Sequence, residues 1–201
     1  TVRPQPVTLT TQLPGRTVPY LIAEVRPQVG GIVQTRQFTE GGDVKAGQTL
    51  YQIDPATYRA SYASAQATLA KAQANLRTAR LKADRYKELV QIKAISQQEG
   101  DDTAATLGQA EADVAAGKAS VETARINLAF ARMDAPISGR IGRSSVTPGA
   151  LVTANQATAL TTIQQLDPIY VDVTQPSAAV LRLKKAMARG DLARAGDGAA
   201  Q

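Results

Sequence analysis

Two spacings of apolar residues share this chain, and the switch between them marks its parts. From Val7 to Val25 (VTLTTQLPGRTVPYLIAEV), β-branched or apolar residues alternate with polar ones around Pro14-Gly15, a pattern that predicts short strands about a turn. At Asp54-Pro55 the period changes, with an aspartate suited to a helix N-cap and a proline suited to the first helical position. Tyr58, Tyr62, Ala65, Leu69, Ala72, Leu76, Ala79, Ala83, Tyr86 and Val90 then follow at alternating spacings of four and three. That is a heptad seam, and it predicts one long helix ending near Ile92.

A second seam comes after only a few residues: Gly100, Thr103, Leu107, Ala110, Val114, Gly117, Val121, Ala124, Leu128 and Ala131. Ser96 and Glu99 supply an S-x-x-E capping box at its start, and Pro136 closes its end. So short a turn makes the two helices antiparallel. At about 36 residues each and ~1.5 Å per residue, the hairpin projects roughly 55 Å. Small seam residues such as Ala65, Ala72, Ala110 and Gly117 allow close backbone approach while burying little area, which makes for a slender rod.

The stretches flanking the hairpin repeat each other. At an offset of 108, Val29 falls on Ile137, Gly31 on Gly139, Val33 on Ile141, Phe38 on Val146, Gly41 on Gly149 and Val44 on Val152. After a slip of two, Leu50 and Ile53 fall on Leu160 and Ile163. Turn glycines and inward apolar positions recur together, so one small β domain is split by the hairpin. Its halves are expected at 25–54 and 134–167, with the hairpin at 55–133. Beyond them, LDPIYVDV (Leu166 to Val173) reads as a strand, Ser177 to Gly190 as a capped amphipathic helix stopped by glycine, and residues 193–201 as disordered or truncated. Strands from 1–24 and from 168–175 are too few to close a sheet alone. Segments 1–24 and 168–201 are therefore expected to be parts of a third, incomplete domain. The fold class is α+β.

Composition then narrows the chemistry. The 201 residues are 43% hydrophobic but hold only six Tyr and two Phe, with no Cys, His or Trp. Thiol nucleophiles, His-based triads, Cys/His zinc sites and disulfides are excluded together. No cofactor and no metal is expected, and no catalytic residues stand out. The net charge is +6 and is spread out: residues 55–133 carry 11 basic and 8 acidic side chains, and the remainder 12 and 9. Without interleaved aromatics or a concentrated basic stripe, nucleic acid is not an expected partner. Charge does divide the hairpin, with 7 basic and 2 acidic residues in 56–92 against 3 and 6 in 97–132. No apolar run approaches the ~18 residues of a membrane span.

The Gly-turned halves resemble a biotinyl or lipoyl carrier domain. In such a carrier the modified lysine stands on the tight hairpin joining the halves, where this chain has its helices. Lys45 lies instead in a VKAG turn of the first half, so the sequence favours use as a scaffold.

At the far end of the first helix, Arg85, Leu89 and Ser96 (RYKELVQIKAIS) fit an R-x(3)-L-x(6)-S pattern. It resembles the hairpin tip of the periplasmic adaptors, or membrane fusion proteins, of tripartite efflux pumps. Chemically, Arg85 and Ser96 also suit helix-end positions, whereas Leu89 stands beside the strict seam and can be offered to a partner without dismantling the coil. LPGRT at Leu13, AEVRPQV at Ala23, LYQIDPATY at Leu50, VETARINLA at Val121, PISGRIG at Pro136 and QQLDPIYVDVTQ at Gln164 extend the resemblance along nearly the whole chain. Together they look like adaptors of the AcrA/MexA type, which serve resistance-nodulation-division (RND) transporters of Gram-negative bacteria.

That resemblance implies a split lipoyl domain, a helical hairpin and a partial β-barrel. It implies a non-enzymatic periplasmic protein associated with the inner membrane through an N-terminal lipid anchor absent from this chain. The implied partners are an RND transporter, a TolC-like outer-membrane channel met by Arg85, Leu89 and Ser96, and further copies of the adaptor in a ring, commonly hexameric. An adaptor for an ABC or major-facilitator exporter and a lipoyl or biotinyl carrier are the alternatives; LPGR and QQLDPIYVDV resemble the RND branch.

Overall fold

The structure, a computed structural model, describes residues 12–190 and divides into two compact units: residues 22–164, and residues 12–21 with 165–190. In chain order the elements are β1 (Gly15–Val25), β2 (Gly31–Arg36), β3 (Asp43–Val44), β4 (Thr49–Ile53), α1 (Ala56–Gln91), α2 (Gln97–Phe130), β5 (Arg132–Asp134), β6 (Gly139–Ile141), β7 (Leu151–Val152), β8 (Thr161–Val173) and α3 (Ser177–Ala188).

Two four-stranded sheets form, in the orders β1-β8-β6-β3 and β5-β4-β2-β7. Each mixes strands from before and after the helices: β2 pairs with β7, β4 with β5 and β3 with β6, all antiparallel. The internal repeat governs even the register. Gly31 opposes Val152 and Ile32 opposes Leu151, while their counterparts 108 residues away, Gly139 with Val44 and Arg140 with Asp43, oppose each other in the same way. The repeat is kept inside and broken outside. The outward pair is apolar in one copy, with Ile32 50% and Leu151 73% exposed, and is the Arg140–Asp43 ion pair in the other.

The core takes up the repeat positions. Val29, Val33, Val44, Leu50, Ile53, Ile141, Val152, Leu160 and Ile163 are buried, and Phe38, Ile137 and Val146 pack against them. Gly41 and Gly149, equivalent by the repeat, both turn the chain at positive φ (+74° and +92°), a conformation open to glycine at little cost. Tyr51 adds a polar end to this core. Its phenol shares a 2.6 Å hydrogen bond with Ser144 Oγ, and burial raises its pKa, partly offset by that bond.

The helices begin and end within a few residues of the expected places. Pro55, rather than Asp54, is the residue flanking α1; the Asp54 carboxylate accepts from the Ala56 N–H at 3.0 Å. At the other end α2 stops at Phe130, and Arg132 and Met133, within the span read as hairpin, join Asp134 in the strand beside β4. Ala131 fits the seam, but Ala131, Met133 and Ala135 also alternate and are all buried in the β core. The Ile53 N–H donates to the Ala131 carbonyl at 2.8 Å, so both ends of the hairpin are fixed at one place.

Along the rod, the α1 seam residues are half-buried and Thr103, Ala110, Val114 and Gly117 of α2 are buried. At Gly117 α2 lies close against the backbone of α1: an added Cβ would meet Leu69 Cδ1 at 3.1 Å and Leu69 Cα at 3.3 Å. Although the helices carry opposite net charge, no ion pair joins them among the described residues. Small apolar residues make the contact, and the charges stand outside it.

In the other unit, β1 and β8 are hydrogen-bonded neighbours and Tyr20 packs on Tyr170 with ring centroids 5.3 Å apart. Gly15 starts a continuous strand; Val7 to Thr11, read as part of the strand pattern, lie outside the described residues, as do residues 193–201. β8 is one strand across the 167/168 boundary drawn from the sequence. Ser177 does not cap α3; Pro176 flanks it and its carbonyl accepts from Ala179 and Val180, while Gly190 follows at φ +77°. None of the residues 12–21 and 165–190 is buried, as expected of two strands and one helix.

Candidate functional site: the hairpin tip

Among the described residues, no cluster of His, Cys, Asp and Glu is placed to hold a metal ion, and no buried side-chain polar atom lacks a partner. Lys45 lies in the β3–β4 turn, where its N–H donates to Gln48 Oε1 and its carbonyl accepts from the Gln48 N–H. The residues singled out by the tip motif are instead gathered at the far end of the rod.

α1 ends in a Schellman motif. The Ala94 N–H donates to the Leu89 carbonyl at 2.9 Å and the Lys93 N–H to the Val90 carbonyl at 3.0 Å, with Lys93 at φ +56°. Three residues later α2 starts in a complete capping box. Ser96 Oγ accepts from the Glu99 N–H (3.2 Å) and donates to Glu99 Oε2 (3.0 Å), which also accepts from the Ser96 N–H (3.0 Å). These bonds hold the Glu99 carboxyl below its ordinary pKa, the backbone bond from Ser96 first and its hydroxyl second. Both helix ends at the tip are thus satisfied internally, so the tip presents a fixed shape.

On that shape, Arg85 is exposed, in no ion pair among the described residues, and its Nε donates to the Leu81 carbonyl of its own helix at 3.2 Å. Leu89 is half-buried although it is no seam residue. The Ser96 hydroxyl is committed to the cap and has only a remaining lone pair to offer. On one flank lies an open groove of about 410 Å³, with Ala83, Val90, Gly100 and Leu107 in its lining and Lys87 and Asp101 among its charged residues. At Gly100 an added Cβ would come within 2.8 Å of Val90 Cγ2, so glycine is what lets the helices converge here.

Two tip residues escaped the sequence reading. Ile92 is 72% exposed, and Lys93 holds the left-handed position usual for glycine. Ile92 could have been found, since it is apolar, off the seam and at the helix end. Lys93 carries no local signal, because nothing but a glycine or asparagine announces that conformation in sequence.

Residues 21–164 match the family model described as RND MFP, barrel-sandwich hybrid domain. Over 192 residues the chain is 59% identical to the multidrug efflux pump subunit AcrA of Escherichia coli K12, covering 96% of this chain and 48% of that protein. It is 54% identical over 200 residues to the multidrug/solvent efflux pump periplasmic linker protein MepA of Pseudomonas putida, again 48% of the relative's length. Among solved structures it is similar to a MacA–MexA chimera containing the α-hairpin domain of Pseudomonas aeruginosa MexA, with a TM-score of 0.58 and 33% identity over 83% of this chain and 54% of that one. The chain spans about half the length of the curated relatives it matches.

Proposed function

Since the chain belongs to the RND membrane fusion protein family, we propose that it works as the periplasmic adaptor of a tripartite multidrug efflux pump, linking an RND transporter of the inner membrane to a TolC-like outer-membrane channel. In this reading it is no enzyme and carries no cofactor; the transporter supplies the energy. Copies assemble side by side into a ring, six in number, tethered to the inner membrane by an N-terminal lipid. Nucleic acid is no partner.

The observation that carries the reading is the division of labour along the hairpin. Its seam uses small residues for mutual contact, whereas Arg85 and Leu89 stand off the seam at an end whose backbone groups are already satisfied. Side chains that the rod does not need for its own stability are free to meet a partner. The names of the relatives supply the transport context, multidrug efflux and a periplasmic linker.

The test expresses the protein from its own gene, with Arg85→Glu or Leu89→Asp, in a strain lacking its own adaptor. Drug susceptibility, protein level and melting temperature are measured side by side. Export is expected to be lost with the melting temperature unchanged, while Leu69→Asp on the seam lowers helicity and melting temperature by placing an unpaired charge between the helices. Folded, fully exporting Arg85→Glu and Leu89→Asp proteins would return the motif to plain helix-end chemistry.

A further inference from the structure

We propose that Lys93, with the neighbouring Ile92, is a docking contact of the tip, and that the partner surface it fits is an apolar cleft bordered by a carboxylate. The inference rests on the tip-docking reading above and adds to it a residue and the chemistry on the other side.

The backbone is the first observation. Lys93 occupies the left-handed position of the Schellman motif at φ +56°, where an L side chain is disfavoured and glycine is the usual occupant. A residue that is locally unfavourable and held by two flanking hydrogen bonds invites a functional explanation. The second observation is what this backbone presents. Ile92, 72% exposed, lies next to it, and Leu89, half-buried, is the residue whose carbonyl closes the motif. An isoleucine and an ammonium group stand together on a turn whose shape is fixed before any partner arrives, so little ordering cost remains on binding.

The charge that gives the partner's sign is that of Lys93 itself, which is in no ion pair among the described residues; the tip as a whole is mixed, with Lys82, Arg85, Lys87 and Lys93 beside Asp84 and Glu88 of α1 and Glu99, Asp101 and Asp102 of α2. Lys82 rests over the Tyr86 ring, 5.3 Å from its centroid, and Arg85 bonds its own helix. An ordinary explanation exists for Lys93, attraction of a cation to the negative end of the α1 dipole. Glycine separates the two, because it relieves the backbone while removing the ammonium group.

The experiment places Lys93→Gly, Lys93→Arg, Lys93→Glu and Ile92→Ser in the protein expressed from its own gene in an adaptor-deleted strain, with Arg85→Glu alongside. Ethidium export, protein level and melting temperature are read. Lys93→Gly is expected to melt no lower than the parent yet to weaken docking by about tenfold, the weight of one well-placed charged contact, and export falls accordingly. Lys93→Arg keeps export, and Lys93→Glu and Ile92→Ser lose it with the fold intact. Full export by Lys93→Gly overturns the proposal, as does loss by Lys93→Arg, which would show that the positive charge is not what is read. If Arg85→Glu also exports fully, the tip-docking reading falls with it. Loss in Arg85→Glu beside full export in Lys93→Gly removes Lys93 alone.

Discussion

Gly117 and Gly108 lie on the same helix and differ in what faces them, so replacing each by alanine isolates the packing of the rod. Both exchanges gain roughly 1 kcal/mol of helix propensity. At Gly108 nothing stands within 4 Å of the new Cβ, and the gain is kept. At Gly117 the methyl meets Leu69 Cδ1 at 3.1 Å, which can rotate away, and Leu69 Cα at 3.3 Å, which cannot. The helices must separate by a few tenths of an ångström, and overpacking of this kind costs about 1–3 kcal/mol. Gly117→Ala is therefore expected to be neutral or destabilising, while Gly108→Ala raises the melting temperature by about 2–4 °C, the shift for ~1 kcal/mol in a chain of this size. Thermal melts followed by circular dichroism at 222 nm on the two single variants and the parent give the comparison directly. Equal stabilisation by both alanines would refute the argument, since it would mean that the helices do not touch at Leu69.

Two further outcomes follow from the same structure. Because the Glu99 carboxyl is held below its ordinary pKa, its capping contribution is complete above the unfolded value, about 4.3, and is lost as pH falls through the lower folded value. The protection of the amides at the start of α2, taken against the intrinsic exchange rate at each pH, should therefore fall in acid, and Glu99→Gln, which keeps a hydrogen-bonding side chain without the titration, should flatten that dependence; identical profiles would remove Glu99 as the cause. Replacing Ala56–Phe130 by a short glycine-containing turn should leave a folded β domain by proton NMR, because both sheets already combine strands from the two halves. An unfolded product would show that the hairpin is part of that domain's core.

Most of the rod was legible in the sequence because a heptad is a strict rule. Every α1 seam position from Tyr58 to Val90 is half-buried, and the α2 positions from Gly100 to Ala131 are buried or half-buried. The 108-residue repeat was legible for a similar reason, since turn glycines and core residues must recur together to build the same half twice. The reading failed where one residue satisfies two rules. Ala131 suits both the seam and the alternation of β5, and only the sheet beside it decides. It also failed at Lys93, whose conformation is imposed by the closing of the helix and not by its own type. Charge divides the hairpin in sequence, but charge totals carry no positions, and the Arg125–Glu122 ion pair of the rod lies within α2.

The closure of the hairpin base bears on how the chain can fold at all. β2 and β4 are complete only when β5 and β7 arrive, and 77 residues separate Ile53 from Ala131, to whose carbonyl its N–H bonds. Joining those ends through a flexible segment would cost about 4 kcal/mol from the length of the loop alone, by (3/2)RT ln n. A hairpin that forms first, from contacts made along its own seam, returns the chain to its starting point and removes most of that search. Until the hairpin has closed, the first half waits for its partner strands. Its apolar face stays open to the wrong neighbours meanwhile. Seam substitutions should accordingly lower the yield of folded β domain even though they lie tens of ångströms from its core, making the rod a template for the domain that carries it.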